Sequence, residues 1–555
     1  MERVKDFLHR NKLIIVICSI VIFTIMLPNL QKSFVIGDDY EYHLARIQSI
    51  QDALKTGVFP VKIHPLLGNS YGYGSGLFYP NLFLYIPAII GLLGIDLLLS
   101  YKIFSCIMLM AMFVILYFSL KNITEDGITA LIGTVIIMLS KSLALQFLHR
   151  FALGEFLGFI FIAPVISGIY DYVHNDFKKP YLLFIGFFGL INSHLITTLI
   201  CVLYCAVIFL INIKSSIKNP KKILKLLITV LVVALITACF WMPMLEQMVK
   251  GEYKYSESWT NMANDEYSIF DLFGAKRYSI GILITLCVPL MIYGLLDKSI
   301  SNKSKKFIIT FIFIVILITN FNIWQKTKDF TNIIQFKWRF VGLLTVVAGI
   351  TISLLLKEYA YKNEIKIEYV LFAILLISVF FFVQYYISDY KYPVLIESQE
   401  EVNKKIYILW NSIGGGTEYL PIETELNELY SPNKAIANNG DKIDVIKTNL
   451  RVEFEKTNQE HKSFEIPFIY YYGYVADITD INGNTVPLIV EKSENGLVQI
   501  KTEENIGTIH VWYNGTRLQK ISYIIAMITY LFVFCYTIFI IKKKVLLIKV
   551  KMEKK

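Results

Sequence analysis

The chain has 555 residues, 55% of them apolar and 18% charged, a formal net charge of +10 and a mean hydropathy of +0.53. This is too apolar for an ordinary soluble globule. The excess of lysine collects in short loops and in the C-terminal KKKVLLIKVKMEKK, as in cytoplasmic segments of membrane proteins, so it does not indicate a nucleic-acid partner.

The first apolar run, 13–30, follows Arg3, Lys5, Arg10 and Lys12. It is long enough to span, and no small-x-small site follows it, so it reads as a helix rather than a cleaved signal. Next comes GDDYEYHLARIQSI (37–50). Helical spacing puts Asp39, His43 and Arg46 on one face, with Leu44, Ile47, Ile50 and Leu54 as an apolar stripe suited to a membrane surface. HPLLGNSYGYGSGLFYP follows; it lacks the closing Gly-Lys-Ser/Thr of a nucleotide-binding loop. The run 77–99 is interrupted by Pro80 and Pro87 and ends near Asp96, which predicts an interfacial or re-entrant piece rather than a span.

Lysine-rich loops at 174–180, 214–225, 298–306 and 357–366 set the orientation of the remaining runs. With these loops inside, spans are expected at 101–119, 127–142, 156–174, 181–193, 195–213, 224–242, 279–296, 307–323, 340–357, 367–386 and 521–541. Together with the first run they make about twelve, with both termini cytoplasmic. All seven cysteines (18, 106, 201, 205, 239, 287 and 535) lie inside apolar runs, so neither a disulfide framework nor a zinc pattern is present.

On this topology the polar residues at span ends collect on the outer face. They are Asp38, Asp39, His43 and Arg46; Arg150 and Glu155 in LHRFALGEF; His194 in NSH; and Trp338 and Arg339 in QFKWRF. Acids, bases and aromatics at one depth point to a shared site. A carboxylate serves as general base, and arginine grips a phosphate through two parallel donors. The competing reading is interfacial anchoring of Arg150, His194 and Arg339, with Asp38 as a helix cap.

From 387 to 520 the apolar runs shorten. LRVEFEK, FIYYYGYVADI, VPLIVEK, GLVQIKT and GTIHVWY read as strands, punctuated by turns at INGNT, SENG and YNG. A β-sandwich of immunoglobulin-like or jelly-roll type is expected outside the membrane, led into by GGGTEYLP, whose glycines suit close packing. Three parts result: a membrane domain at 1–386 with a catalytic first outer loop at 31–99, the β domain at 387–520, and a last span with a basic cytoplasmic tail at 521–555.

In order along the chain, the acidic motif, GVFPVKIHP, GYGSGLFYPNLFLYIPA, HRFALGEFL, INSHL, FWMPML, QFKWRF and GGGTEYLP resemble the bacterial "6-pyruvoyl-tetrahydropterin synthase-related" integral membrane proteins of the GT-C glycosyltransferase superfamily. The resemblance covers nearly the whole chain. It implies an inverting transfer of a sugar from a polyprenyl-phosphate donor to a cell-envelope glycan, lipid or protein acceptor on the outer face. By position it implies Asp39 as the motif acid, seconded by Asp38. His43, Arg46, Arg150, Glu155, His194, Trp338 and Arg339 would then line the substrate site. No cofactor is required by the resemblance; a divalent cation, magnesium or manganese, would be held by Asp38, Asp39 and Glu155. The alternatives are a transporter or flippase of lipid-linked glycans, which wants charges at mid-membrane, and a non-catalytic envelope-assembly scaffold with a glycan-binding outer domain.

Overall fold

A computed structural model describes the chain except for residues 1–10, 31–33, 36, 256–266, 275, 389–394, 397–398, 407, 416, 504–505 and 554–555. Among the described residues, six helices are long and apolar enough to cross a membrane: Lys12–Asn29, Leu97–Thr124, Leu153–His174, Lys337–Lys362, Ile367–Ile387 and Arg517–Lys543. The number rises to eight if two bent pairs each count as one span. These are Gly127–Met138 with Lys141–His149, bent by 43°, and Pro220–Ile236 with Ala238–Lys250, bent by 71°. The other four expected spans fall on Tyr181–Ile191, Leu195–Ile211, Ile282–Leu296 and Asn302–Thr319. The first three are shorter than the bilayer core requires, and the fourth opens with Lys303, Lys305 and Lys306. Six to eight spans, rather than twelve, therefore meet the requirement by length and composition.

Residues 77–99 are broken into short pieces, Ser75–Phe78, Leu82–Leu84 and Tyr85–Leu92. Asp96 then accepts a hydrogen bond from the Leu99 N–H at 2.9 Å and caps the long Leu97–Thr124 helix. The apolar run ends at Asp96 because a helix N-terminus needs an acceptor there.

The residues cluster into two compact units. The first comprises 1–59, 81–223 and 256–416. Its helices approach closely through glycine. A Cβ at Gly189 would lie 2.2 Å from the Phe161 ring, one at Gly186 2.5 Å from Val165 Cγ2, and one at Gly168 2.7 Å from Leu183 Cγ. These three positions press Tyr181–Ile191 against Leu153–His174. The Tyr40–Lys55 helix departs from expectation. Leu44, Ile47 and Ile50 are fully buried, packed in part against Tyr85–Leu92 and Gln399–Ile406. The stripe faces protein, not a membrane surface.

The second unit comprises 60–80, 224–255 and 417–555. Its strands are β3 (Lys434–Ala437), β4 (Lys442–Asp444), β5 (Ile446–Thr448), β6 (Arg451–Lys456), β7 (Ser463–Ile469), β8 (Tyr474–Asp480), β9 (Thr485–Lys492), β10 (Leu497–Lys501) and β11 (Gly507–Tyr513). The short pair β1 (Phe34–Val35) and β2 (Leu395–Ile396) belongs to the first unit. The nine strands form one antiparallel sheet in the order β4-β3-β7-β10-β9-β8-β11-β6-β5. The sheet closes over itself: Phe454 on β6 and Phe464 on β7 stand five places apart in that order, yet their rings are 5.1 Å apart. Alternation dictates the sidedness, since Ile509 and Val511 of β11 are fully buried while Thr508, His510 and Trp512 between them are not. The glycine run leading in has no packing role at Gly415, where a Cβ would meet nothing within 4 Å. Within the Tyr470–Tyr474 stretch, Tyr471 is fully buried and Tyr472 is exposed.

A lysine staples this unit. Lys447 Nζ donates to the carbonyls of Ser70 and Pro467 and approaches that of Pro432, and it lies 4.4 Å from the Phe468 ring. Burial pulls its ammonium down to about 7 from an ordinary value of 10.5. Between these values the unfolded chain holds a proton that the folded unit has released, so stability rises with pH across that window. Thermal unfolding of the purified protein should show the parent gaining on Lys447→Met from about pH 7 upward, by at most about 1.4 kcal/mol per pH unit. A parent-to-variant difference that does not change with pH would refute this.

Candidate functional site

The site is built at one end of the first unit, from two loops and the N-terminal ends of several helices. Helix Lys141–Ala144 runs into a π-turn, Leu145–His149, that carries the chain out to Arg150. Phe151 then adopts φ +53°, a left-handed conformation rare for a bulky residue, before Leu153–His174 begins. The second arginine loop has the same feature: Gln335 sits at φ +68° immediately before Phe336-Lys337-Trp338-Arg339. Non-glycine residues in this region cost about 1–3 kcal/mol each and gather at functional sites.

The acidic loop is pinned to the first of these by backbone. Asp38 N–H donates to His149 O at 3.3 Å, and Asp39 N–H to Arg150 O at 2.9 Å. The approach requires Gly37, since a Cβ there would lie 2.6 Å from Phe151 N and 2.7 Å from Arg150 C. Each acid meets its own arginine. Arg277 Nη2 bonds both Asp38 oxygens, at 3.0 and 2.8 Å, and also the His149 carbonyl at 3.2 Å. Asp39 occupies the N-cap position of Tyr40–Lys55 without a side-chain capping bond, and its Oδ2 lies 3.8 Å from Arg150 Nη2. Its side chain is 44% exposed.

Arg150 is the hub. Nη1 donates to Glu155 Oε2 at 2.8 Å, and the guanidinium carbon lies 4.4 Å from the Trp338 ring centre. Burial works against its charge, but Glu155 and Asp39 outweigh that and raise its pKa further. Glu155, buried in the first turn of its helix, also takes Arg339 Nε at 3.5 Å. Trp338 is itself buried, stacked 4.5 Å from Tyr278 at 13°. It packs the arginine rather than offering an open face.

His194 is the N-cap of Leu195–Ile211, where Nδ1 accepts the Thr197 N–H at 3.2 Å. Gly158 admits it, since a Cβ there would be 3.3 Å from His194 Cβ. His43 and Arg46 are almost fully buried. Arg46 Nη2 donates to Asn81 Oδ1 at 2.7 Å, and Nη1 lies 3.4 Å from His43 Nδ1. Arginine only donates, so Nδ1 is the acceptor and the ring proton is on Nε2. Burial, then Arg46, Arg150 and His194, push the His43 pKa well below its ordinary value, which leaves a neutral imidazole.

The nine residues named from sequence thus fall in one neighbourhood. Asp39, Arg150, Glu155, Trp338 and Arg339 are linked through direct contacts, Asp38 joins them through Arg277 and the His149 carbonyl, His194 interacts electrostatically with Glu155, and His43 and Arg46 form the buried support. Sequence reasoning missed Arg277, Tyr278, Asn81 and the role of Gly37. Arg277 left a signal, since lysine parity puts it in an outer loop where a cation is out of place.

The carboxylates fit a divalent cation poorly. Each is matched by arginine, and among the described residues no three His, Cys, Asp or Glu side chains come together as a ligand set. The arrangement suits an anion better. Arg46, Arg150, Arg277 and Arg339 outnumber Asp38, Asp39 and Glu155, and helices starting at Tyr40, Leu153, Leu195 and Phe340 bring their positive ends to this region.

No family model matches the chain. An uncharacterized protein of Lactococcus lactis subsp. cremoris (strain MG1363) is 23% identical over 562 residues, covering 91% of each chain. Among solved structures, the mycobacterial arabinofuranosyltransferase AftD is similar over 66% of this chain and 26% of its own, with a TM-score of 0.43 and 9% identity. The Archaeoglobus fulgidus oligosaccharyltransferase, solved with zinc and sulfate, is similar over 74% of this chain and 59% of its own, with a TM-score of 0.35 and 12% identity. The chain therefore spans about a quarter of the first enzyme and less than two thirds of the second. At these scores neither likeness bears on what the chain does.

Two measurements test the site's construction. Gly37→Ala should lower thermal stability by about 1–3 kcal/mol, because backbone rather than a flexible side chain must yield. Arg150→Leu should cost about 3 kcal/mol or more by leaving Glu155 short of a partner, and Arg150→Leu/Glu155→Gln should recover only part of that loss, because Arg339 then loses its carboxylate. Additive losses in the pair would show that the ion pair is not the linking interaction.

Proposed function

We propose that the chain is a membrane glycosyltransferase that moves a sugar from a polyprenyl-phosphate carrier to a cell-envelope acceptor at the outer face. One observation carries this reading. Asp39 is a half-exposed carboxylate 3.8 Å from a guanidinium that is otherwise buried and fixed by Glu155. A base open to solvent beside a preorganised cation is what an acceptor hydroxyl and a departing phosphate need together. The charged side chains also stand at helix ends and in loops, where a transferase needs them, rather than at mid-span.

In this reading Asp39 takes the proton of the acceptor hydroxyl. The acceptor oxygen bonds the anomeric carbon as the bond from that carbon to the phosphate oxygen breaks, with inversion. The polyprenyl phosphate leaves with its negative charge facing Arg150 and Arg339. Asp38, tied to Arg277, holds the loop in register, and Arg46 with Asn81 supports the helix behind it. The reading agrees with the resemblance of the ordered motifs to GT-C proteins.

Asp39→Asn keeps shape and removes charge. In a purified assay with polyprenyl-phosphate sugars it should reduce transfer by at least about a hundredfold while leaving expression and membrane insertion unchanged. Full activity in both Asp39→Asn and Asp38→Asn, with the correct donor, would make the acids structural and favour the scaffold reading.

A further inference from the structure

We propose that a groove at the opposite end of the first unit binds an anionic phospholipid of the lysine-rich leaflet. Helices Leu97–Thr124 and Tyr181–Ile191 both pack on Leu153–His174, and a cavity of about 710 Å³ opens between them. Pro164 lies in its lining, with Val114, Phe118, Leu182 and Ile185 as further apolar surface. Phe118 is 60% exposed, in position to meet acyl chains. Asp171 lies sixteen residues beyond Glu155 on the same helix, about 24 Å at 1.5 Å per residue, so this end is remote from the candidate site.

The polar end of the groove is cationic. Lys121, Asn122, Lys179 and Tyr181 line it together with Glu125. Lys179 Nζ is held by a neutral partner, Asn122 Oδ1, at 2.6 Å. Asn122 is held in turn by Ser167 Oγ at 3.0 Å, and Ser167 by the Ser119 carbonyl at 2.8 Å. This chain of hydrogen bonds aims an ammonium without neutralising it. Lys121 Nζ lies over the Tyr117 ring at 5.6 Å. Three carboxylates oppose them: Glu125, paired with Lys303 at 3.4 Å; Asp171, whose Oδ2 accepts the Lys179 backbone N–H at 2.6 Å; and Asp176, which with Asp171 faces Lys222. Four lysines against three acids leave a net positive end on an apolar groove, complementary to a phosphodiester headgroup with its acyl chains. Lys121 and Lys179 would donate to the phosphate, and Tyr181 to the glycerol portion.

The inference takes from the proposed function only which end faces outward, and its test uses no transfer assay, so the two fail separately. Native mass spectrometry of the detergent-purified protein with equimolar phosphatidylglycerol and phosphatidylcholine should show phosphatidylglycerol retained preferentially. Lys121→Ala/Lys179→Ala should reduce that preference by about thirtyfold, at about 1 kcal/mol per lysine. Lys121→Arg/Lys179→Arg should keep it, as should Lys298→Ala/Lys366→Ala, which removes the same charge outside the groove. Unchanged preference in the groove variant, or an equal loss in the control, would overturn the proposal. So would competition by free glycerol phosphate as effective as that of the intact lipid, which would indicate a site for soluble phosphate.

Discussion

A buried guanidinium must be neutralised, and the candidate site is organised around that requirement. Arg150 is 12% exposed, and its charge is met by Glu155 on one side and Asp39 on the other, with the Trp338 ring beneath it. Because Glu155 is shared with Arg339, the two arginine loops are coupled through one carboxylate. Breaking such a set from one side exposes the remaining charge to the desolvation cost that its partner had offset. The geometry of the acidic loop follows from the same requirement, since Asp39 is placed by backbone bonds to the residues flanking that guanidinium.

The backbone is strained where these loops turn. Phe151 and Gln335 take left-handed conformations, and Gly37 touches the chain where no side chain fits. Such conformations persist only when surrounding contacts over-determine them. Here the Phe151 ring stacks 4.7 Å from Tyr101, and the loop carbonyls at 149 and 150 are both taken by the acidic loop. Rigidity of this kind holds charged groups ready without reorganisation when negative charge develops.

The two ends of the first unit then divide the electrostatics. One end gathers arginines, which are planar and remain charged when buried, around carboxylates. The other gathers lysines around a neutral amide and hydroxyl chain beside an open apolar groove. The difference matches the physics of the two residue types: a fixed fork suits a buried site, and a flexible, strongly hydrated ammonium suits a headgroup at the membrane edge.

Much was legible in the sequence because it is local. Apolar runs, lysine parity and Pro80 and Pro87 predicted helices and the broken 77–99 segment, and alternation predicted the strands at 451–456, 486–492 and 507–513. These patterns depend on neighbours a few residues apart, where periodicity carries the information. The nine named side chains could be nominated for the same reason, since each ends an apolar run. Their partnerships could not. Asp38 and its arginine are 239 residues apart, and nothing local distinguishes Arg277 from Arg150 as its partner. Whether the Leu44–Ile47–Ile50 stripe met membrane or protein depended on Tyr85–Leu92 and Gln399–Ile406 packing over it. The left-handed Phe151 was equally invisible, because that conformation opposes local preference and exists only where distant contacts hold it. Composition and periodicity determined a helical, membrane-type chain with a β domain; the pairing of buried charges, which depends on distances across the packed interior, was decided by tertiary structure alone.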